Sequence, residues 1–225
     1  MTIAPCKELG IKLDETLYPG MDLEELPSKD NGGIQMLIES FSARREYIAQ
    51  FGFTLFTEEF LLSLVNDFEN RGIESFVEIE AGLGTFTHLL NQSQQLKGVG
   101  YTLPINDKHW GMDNSSPFYQ QGVKTGELIL QDIREVQLEY KPDVIISSWI
   151  PYEGGGEVIE FFDNQPKQLW PDYYLVIGEG PGGCTASDEF FDWLEANWDY
   201  VEADYGYSRF GGIYDQPMLY KSKLL

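Results

Sequence analysis

The sequence predicts one α/β domain: a mostly parallel sheet held between two layers of helix and closed by an antiparallel pair of strands. Three observations predict it. Apolar runs such as DVIISSW and YYLVIGE lack the two-residue alternation of a half-solvated strand, so they suit strands buried on both faces. From residue 57 onward, segments of helical and strand period alternate, as crossover connections require. The last two strand-like runs, Tyr200 to Tyr205 and Ile213 to Tyr220, are separated by a stretch containing SRFGG that is too short for a crossover helix, which implies a hairpin at the sheet edge.

The elements follow in order. Residues 1–33 carry Pro5, Pro19, Pro27 and the acids Asp22, Glu24 and Glu25 without a hydrophobic period, and read as an irregular arm. Ile34, Leu37, Ile38, Phe41 and Ile48 keep helical spacing up to Phe51, and Gly52 stops that helix. A second helix fits Thr57 to Asn70: Thr57 caps it, Glu58 and Glu59 face the positive end of its dipole, and Gly72 ends it. Strands are expected at Ser75–Ile79, Gly98–Leu103, Glu127–Leu130, Val144–Ser148 and Tyr173–Ile177, and helices at Thr85–Gln95, Glu157–Phe162 and Ser187–Trp198. The expected division is an N-terminal cap over 1–56 and the α/β domain over 57–225, with deletion of 1–33 as the test of a lid role for the arm.

Composition limits the function. The 225 residues are 42% hydrophobic, enough for one substantial core. With 37 acids against 15 bases the formal charge is -22, which repels phosphate backbones and anionic membranes, so neither nucleic acid nor membrane is expected as partner. Cys6 and Cys184 form no CxxC pair, and no apolar signal region or membrane-length run is present, which leads to the expectation of a reduced, cytoplasmic protein. Two histidines without HxxE or HxxxH spacing, and no Asp-x-Asp-x-Asp loop, give no expected metal site. No heptad seam speaks for assembly, and the oligomeric state stays open.

In an open α/β sheet, ligands bind beyond the carboxyl ends of the strands, so the residues after each strand carry the chemistry. After the first come Glu78, Glu80, Ala81, Gly82 and Gly84, the glycines allowing a tight turn that opens a helix; after the second, Thr102; after the third, Asp132 and Ile133; after the fourth, Ser148, Trp149 and Tyr152; after the fifth, Glu179. The run VEIEAGLGTF, the acid in LQDIRE, the segment DVIISSWIPY and the closing hairpin together resemble the class I S-adenosylmethionine-dependent methyltransferases over residues 55–221. The resemblance implies a three-layer Rossmann-like fold with seven strands in the order 3-2-1-4-5-7-6 and S-adenosylmethionine as cofactor. It also implies that Glu78, Gly82 and Gly84 hold the cofactor's amino acid part, that Asp132 marks adenine, and that the segment after the fourth strand lines the transfer pocket. IGEGPGGCTASDEFF is similar to a poorly characterised branch with a GE…GGCT signature, which brings no substrate with it.

The chain departs from the family pattern twice. Glu80 stands where glycine is usual, and KGVGYTLPIND offers Thr102 where an acid usually meets the ribose. Glu80 is accommodated if its backbone keeps a negative φ, and its carboxylate then either takes a role at the ligand's ammonium or ribose or blocks the site. The implied activity is methyl transfer to a small molecule or a protein side chain; a catalytically inactive binding or regulatory relative is the alternative. A nicotinamide dinucleotide site is disfavoured because GxGxxG fails at its third glycine. Methyl transfer depends chiefly on positioning, and the candidates for substrate contact or proton transfer are Glu179, Trp149, Tyr152 and the loop residue His109. Trp149 and Tyr152 either cage a substrate or pack the rim, and Glu179 is either a base or the cap of the GPGG turn.

Overall fold

A computed structural model describes residues 44–45, 47–107, 111–152, 154–210 and 213–224. Residues 44–45 and 47–51 are helical and stop at Gly52, in the left-handed region at φ 89°. The beginning of that expected helix, and the arm before it, lie outside the described residues. Helix α1, Glu58–Arg71, starts where Thr57 accepts the Phe60 amide at 3.1 Å and ends at left-handed Gly72. Its buried stripe is Phe60, Leu61, Leu64, Val65 and Phe68, as the spacing predicts.

Strand β1 spans Ser75–Ile79, helix α2 Thr85–Asn91 and strand β2 Lys97–Thr102. Helix α2 is a turn shorter than predicted. The Asn91 amide binds both the N–H and the carbonyl of Gly98 at 2.9 Å, so the chain leaves the helix to clip onto the next strand. A short antiparallel ladder pairs Asn106–Asp107 with Met112–Asp113. Helix α3, Pro117–Thr125, was not predicted: it has proline in its first turn and a left-handed Gly126 at its end, but its apolar residues are too sparse to show a period.

Strand β3 covers Leu128–Leu130 and β4 covers Val144–Ser148; a 3-10 turn at Ile133–Glu135, capped by Asp132, lies in the connection between them. Helix α4 spans Gly156–Asn164, strand β5 Tyr173–Gly178 and helix α5 Asp188–Asn197. Strands β6, Trp198–Val201, and β7, Gln216–Ser222, replace the predicted hairpin boundaries. The two pair antiparallel from Trp198 with Ser222 to Val201 with Leu219, so the link between them is the whole stretch 202–215 rather than a tight SRFGG turn.

The seven strands form one sheet in the order β3-β2-β1-β4-β5-β7-β6, parallel from β3 through β5 and antiparallel at β7 and β6. This is the expected three-layer, Rossmann-like arrangement. Successive strand residues point to opposite faces and both are buried. Phe76, Ile146 and Leu175 meet α1 and α2, whereas Val77, Ile145 and Val176 meet α4 and α5. Continuous apolar runs in the sequence are the direct consequence. Tyr47, Phe51, Leu55 and Phe56 join the first of these two cores. Gly98 is required by a close approach, since a Cβ there would stand 2.3 Å from the Phe76 carbonyl oxygen. Among the described residues, no helix is long and apolar enough to cross a membrane.

Candidate functional site

The ends of β1 and β4 and the start of α2 converge on the glycine turn. Three of its residues, Glu80, Gly82 and Gly84, have φ of 56°, 53° and 72°, so the backbone winds left-handed at every second position. The Ala81 amide binds the Tyr101 carbonyl at 2.9 Å, which fastens the turn to β2. The condition of a negative φ, under which Glu80 would fit without strain, is therefore not met. A side chain in this region costs about 1 kcal/mol through crowding of Cβ against the backbone, and the rest of the turn holds it there.

Beside the turn lies a cavity of about 150 Å³ whose walls include Glu78, Glu80, Gly82, Thr54, Thr85 and Ser148. Glu78 is 2% exposed. Its carboxylate accepts the Thr87 amide at 2.9 Å and the Thr87 hydroxyl at 2.6 Å, joining β1 to α2. Burial outweighs these two bonds and pushes its carboxyl up to about 7. The hydroxyls of Thr54, Thr85 and Ser148 are buried and have no hydrogen-bond partner among the described residues. Buried polar groups are nearly always satisfied, so three orphans on one small cavity make it a candidate place for polar ligand atoms or ordered water.

Trp149 forms an adjoining wall. Like Glu80 it has a left-handed backbone, at φ 55°. Its ring stacks on Phe53 with centroids 5.3 Å apart, and its Nε1 donates to Asp215 at 3.1 Å. Asp215 also accepts from the Tyr207 hydroxyl at 2.7 Å, and the Arg44 guanidinium lies 5.5 Å from the Trp149 ring centre. Burial raises the Asp215 carboxyl, while these partners favour its charge.

A second, larger cleft of about 390 Å³ is lined by Glu80, Leu103, Asp132, Arg134, Ile150 and Glu157, among others. Asp132 accepts from the Arg134 amide at 3.0 Å and from Nε at 2.9 Å, with a further contact to the guanidinium NH2. That pairing holds the Asp132 carboxyl down at about 2, so it enters the cleft as an anion already in use. Glu80 and Pro151 line both cavities.

The remaining candidates are placed differently. The Thr102 hydroxyl donates to the Leu103 carbonyl, and Thr102 lines neither cavity; Leu103 occupies the strand end instead. Ile133 packs into the second core with Val77 and Val136. Tyr152 is 64% exposed and lines neither cavity. Glu179 is 7% exposed and accepts the Cys184 amide at 2.6 Å and the Tyr214 amide at 2.8 Å. Burial alone would raise its carboxyl, but the two amides prevail and keep it below the ordinary range. Both oxygens are thus engaged, and Glu179 fastens the Gly180–Cys184 turn to the Tyr214 amide. His109 lies outside the described residues. Among the described residues, no group of three or more His, Cys, Asp or Glu could hold a metal ion.

Sequence reasoning missed Thr54, Phe53, Thr85 and Asp215. Thr85 alone had a local signal, as the first residue of the helix after the glycine turn. The others reach the cavity or its wall from distant parts of the chain.

No family model and no curated protein matches this sequence. Solved structures with a similar chain path include the pyocyanin biosynthetic protein PhzM, with TM-score 0.48 and 13% identity over 92% of this chain and 63% of that one. The chain thus spans under two thirds of that protein. Another is the 1,6-didemethyltoxoflavin-N1-methyltransferase of Burkholderia thailandensis, solved with S-adenosylhomocysteine, at TM-score 0.48 and 12% identity over 84% of this chain and 86% of that one. Magnesium protoporphyrin IX methyltransferase from Synechocystis PCC 6803, solved with S-adenosylmethionine, gives 0.44 and 13% over 82% and 97%. Similarity at this level transfers no residue and no substrate. The fold assignment rests on the strand order itself.

Proposed function

We propose that the protein is an S-adenosylmethionine-dependent methyltransferase acting on a small molecule. One observation carries the reading: a polar cavity over the glycine turn, with three orphaned hydroxyls and two carboxylates, adjoins through Glu80 and Pro151 a cleft bearing Asp132. The residues fit a ligand with a cationic amino acid at one end and a base at the other. Glu78 offers a carboxyl whose ionised form a bound ammonium would favour. The turn has the Gly82 and Leu83 amides for a carboxylate, while those of Ala81 and Gly84 serve the fold. Asp132, paired with Arg134, keeps acceptor capacity for an exocyclic amine.

When bound, the cofactor supplies a methyl group on a cationic sulfur that is already activated for attack. The protein's part is then to position the acceptor and to keep water away. The Phe53–Trp149 wall suits both tasks, because aromatic faces exclude water and favour cations. Trp149 is held for this by Asp215. No base is needed where the acceptor reaches the site unprotonated, and Glu179 is committed to its turn. The GE…GGCT run reads as a structural clasp, since Glu179 binds the Cys184 amide.

Titration of the full chain with S-adenosylhomocysteine tests the proposal. Binding that raises the melting temperature with ligand concentration is expected, and Asp132→Ala weakens it. Folded protein that gives no heat and no thermal shift at millimolar ligand would remove the enzyme reading. The left-handed carboxylate at Glu80, in the mouth of both cavities, would then identify a closed, non-catalytic relative.

A further inference from the structure

Resting on the cofactor reading above, we infer that Glu80 is the residue that binds the sugar of that ligand, taking the vicinal hydroxyls of a ribonucleoside. The argument starts from a shared wall. The smaller cavity holds the glycine turn and Glu78; the larger holds Leu103, Asp132 and Arg134. Only Glu80 and Pro151 line both. A ligand with its amino acid in the first and its base in the second must pass its middle portion by these two residues. Proline has no donor, and its side chain offers no polar atom. The Pro151 carbonyl already accepts from the Gly154 amide at 2.7 Å, so of the pair only Glu80 brings a polar side chain.

The chemistry agrees. A carboxylate only accepts hydrogen bonds, and two neighbouring hydroxyls each have one to give. Glu78 is the deeper acid and uses only Oε2 on Thr87, so its Oε1 is the partner for an ammonium and Glu80 is left for the hydroxyls. The end of β2, where an acid would otherwise face the sugar, offers the exposed aliphatic Leu103 and a Thr102 whose hydroxyl is turned to its neighbour's carbonyl. The sugar would otherwise go unrecognised on that side.

The cost of keeping Glu80 points the same way. Its backbone sits at φ 56°, where glycine would be free of strain, and its carboxyl is raised by burial and by the nearby charges of Glu157 and Asp132, with Arg134 opposing. No hydrogen bond to its side chain repays this within the described residues. A residue that opposes folding on two counts is explained by a ligand that needs it.

The experiment compares the full chain with Glu80→Gln and Glu80→Gly, titrated by calorimetry with S-adenosylhomocysteine and with its 2′-deoxy and 3′-deoxy analogues. The wild type is expected to favour the full ribose, and both variants to lose about ten- to hundred-fold in affinity for it while binding the analogues nearly unchanged. Without ligand, Glu80→Gly is expected to melt about 2–4 °C higher than wild type. Equal discrimination by wild type and variants, or tighter binding of S-adenosylhomocysteine by Glu80→Gly, would overturn the assignment while leaving the cofactor intact. A ligand-free Glu80→Gly protein that melts at or below wild type would also overturn it, because the carboxylate would then serve the fold. A wild type that binds none of the three ligands refutes the cofactor reading, and this assignment with it.

Discussion

Glu78 shows how one buried acid ties stability to pH. Its carboxyl is raised from 4.5 to about 7 by burial, so the native protein keeps a proton that the unfolded chain releases. That contribution is complete below the unfolded value and is lost as pH rises through about 7. Glu78→Gln is therefore expected to flatten stability between about pH 5 and about pH 8, measured as urea midpoints, whereas wild type weakens across that range. The orphaned hydroxyls give a second expectation. Thr85→Val keeps the shape and removes an unsatisfied group, so it should raise stability by about 1 kcal/mol while weakening ligand binding. A drop in stability would mean that the hydroxyl is satisfied in solution. The sequence made the acids and glycines of the turn legible because they follow a strand. It concealed Thr54 and Asp215, which reach the site only through tertiary packing, and it gave no means of knowing that Glu80 would be left-handed.

At the level of elements, caps and clips decide boundaries. Thr57→Ala removes the side-chain acceptor at the start of α1 and is expected to cost about 1 kcal/mol, read from denaturant midpoints. Glu179→Ala frees the amides of Cys184 and Tyr214 at once, and a loss of about 2 kcal/mol or more follows if Glu179 is a fastener. An unchanged midpoint with lost activity would return it to the role of base. Helix α1 was legible because its apolar positions repeat, and the central strands because their apolar residues run without a break. Helix α3 was not, since FYQQGVKT shows only Phe118, Tyr119 and Gly122 to the interior. The C-terminal strands were shifted because Trp198, read as the last turn of a helix, packs as the first residue of a strand, stacked 6.1 Å from Trp170.

For the whole molecule, a formal charge of -22 means self-repulsion in the folded state. Thermal scans in rising sodium chloride should show the melting temperature climb as screening shortens to about 10 Å near 0.1 M salt. A flat profile would indicate that the charges are already locally compensated. The strand order was legible only through the family resemblance carried by VEIEAGLGTF and DVIISSWIPY, because strands buried on both faces imply by themselves no more than a mostly parallel sheet between helix layers. Its antiparallel end carries a further consequence. Strand β7 lies between β5 and β6, so β6 has no neighbour until residues 216–222 have been made and inserted. Asp215 directly precedes β7, so the seating of that strand between β5 and β6 and the fixing of the Trp149 ring are one structural event.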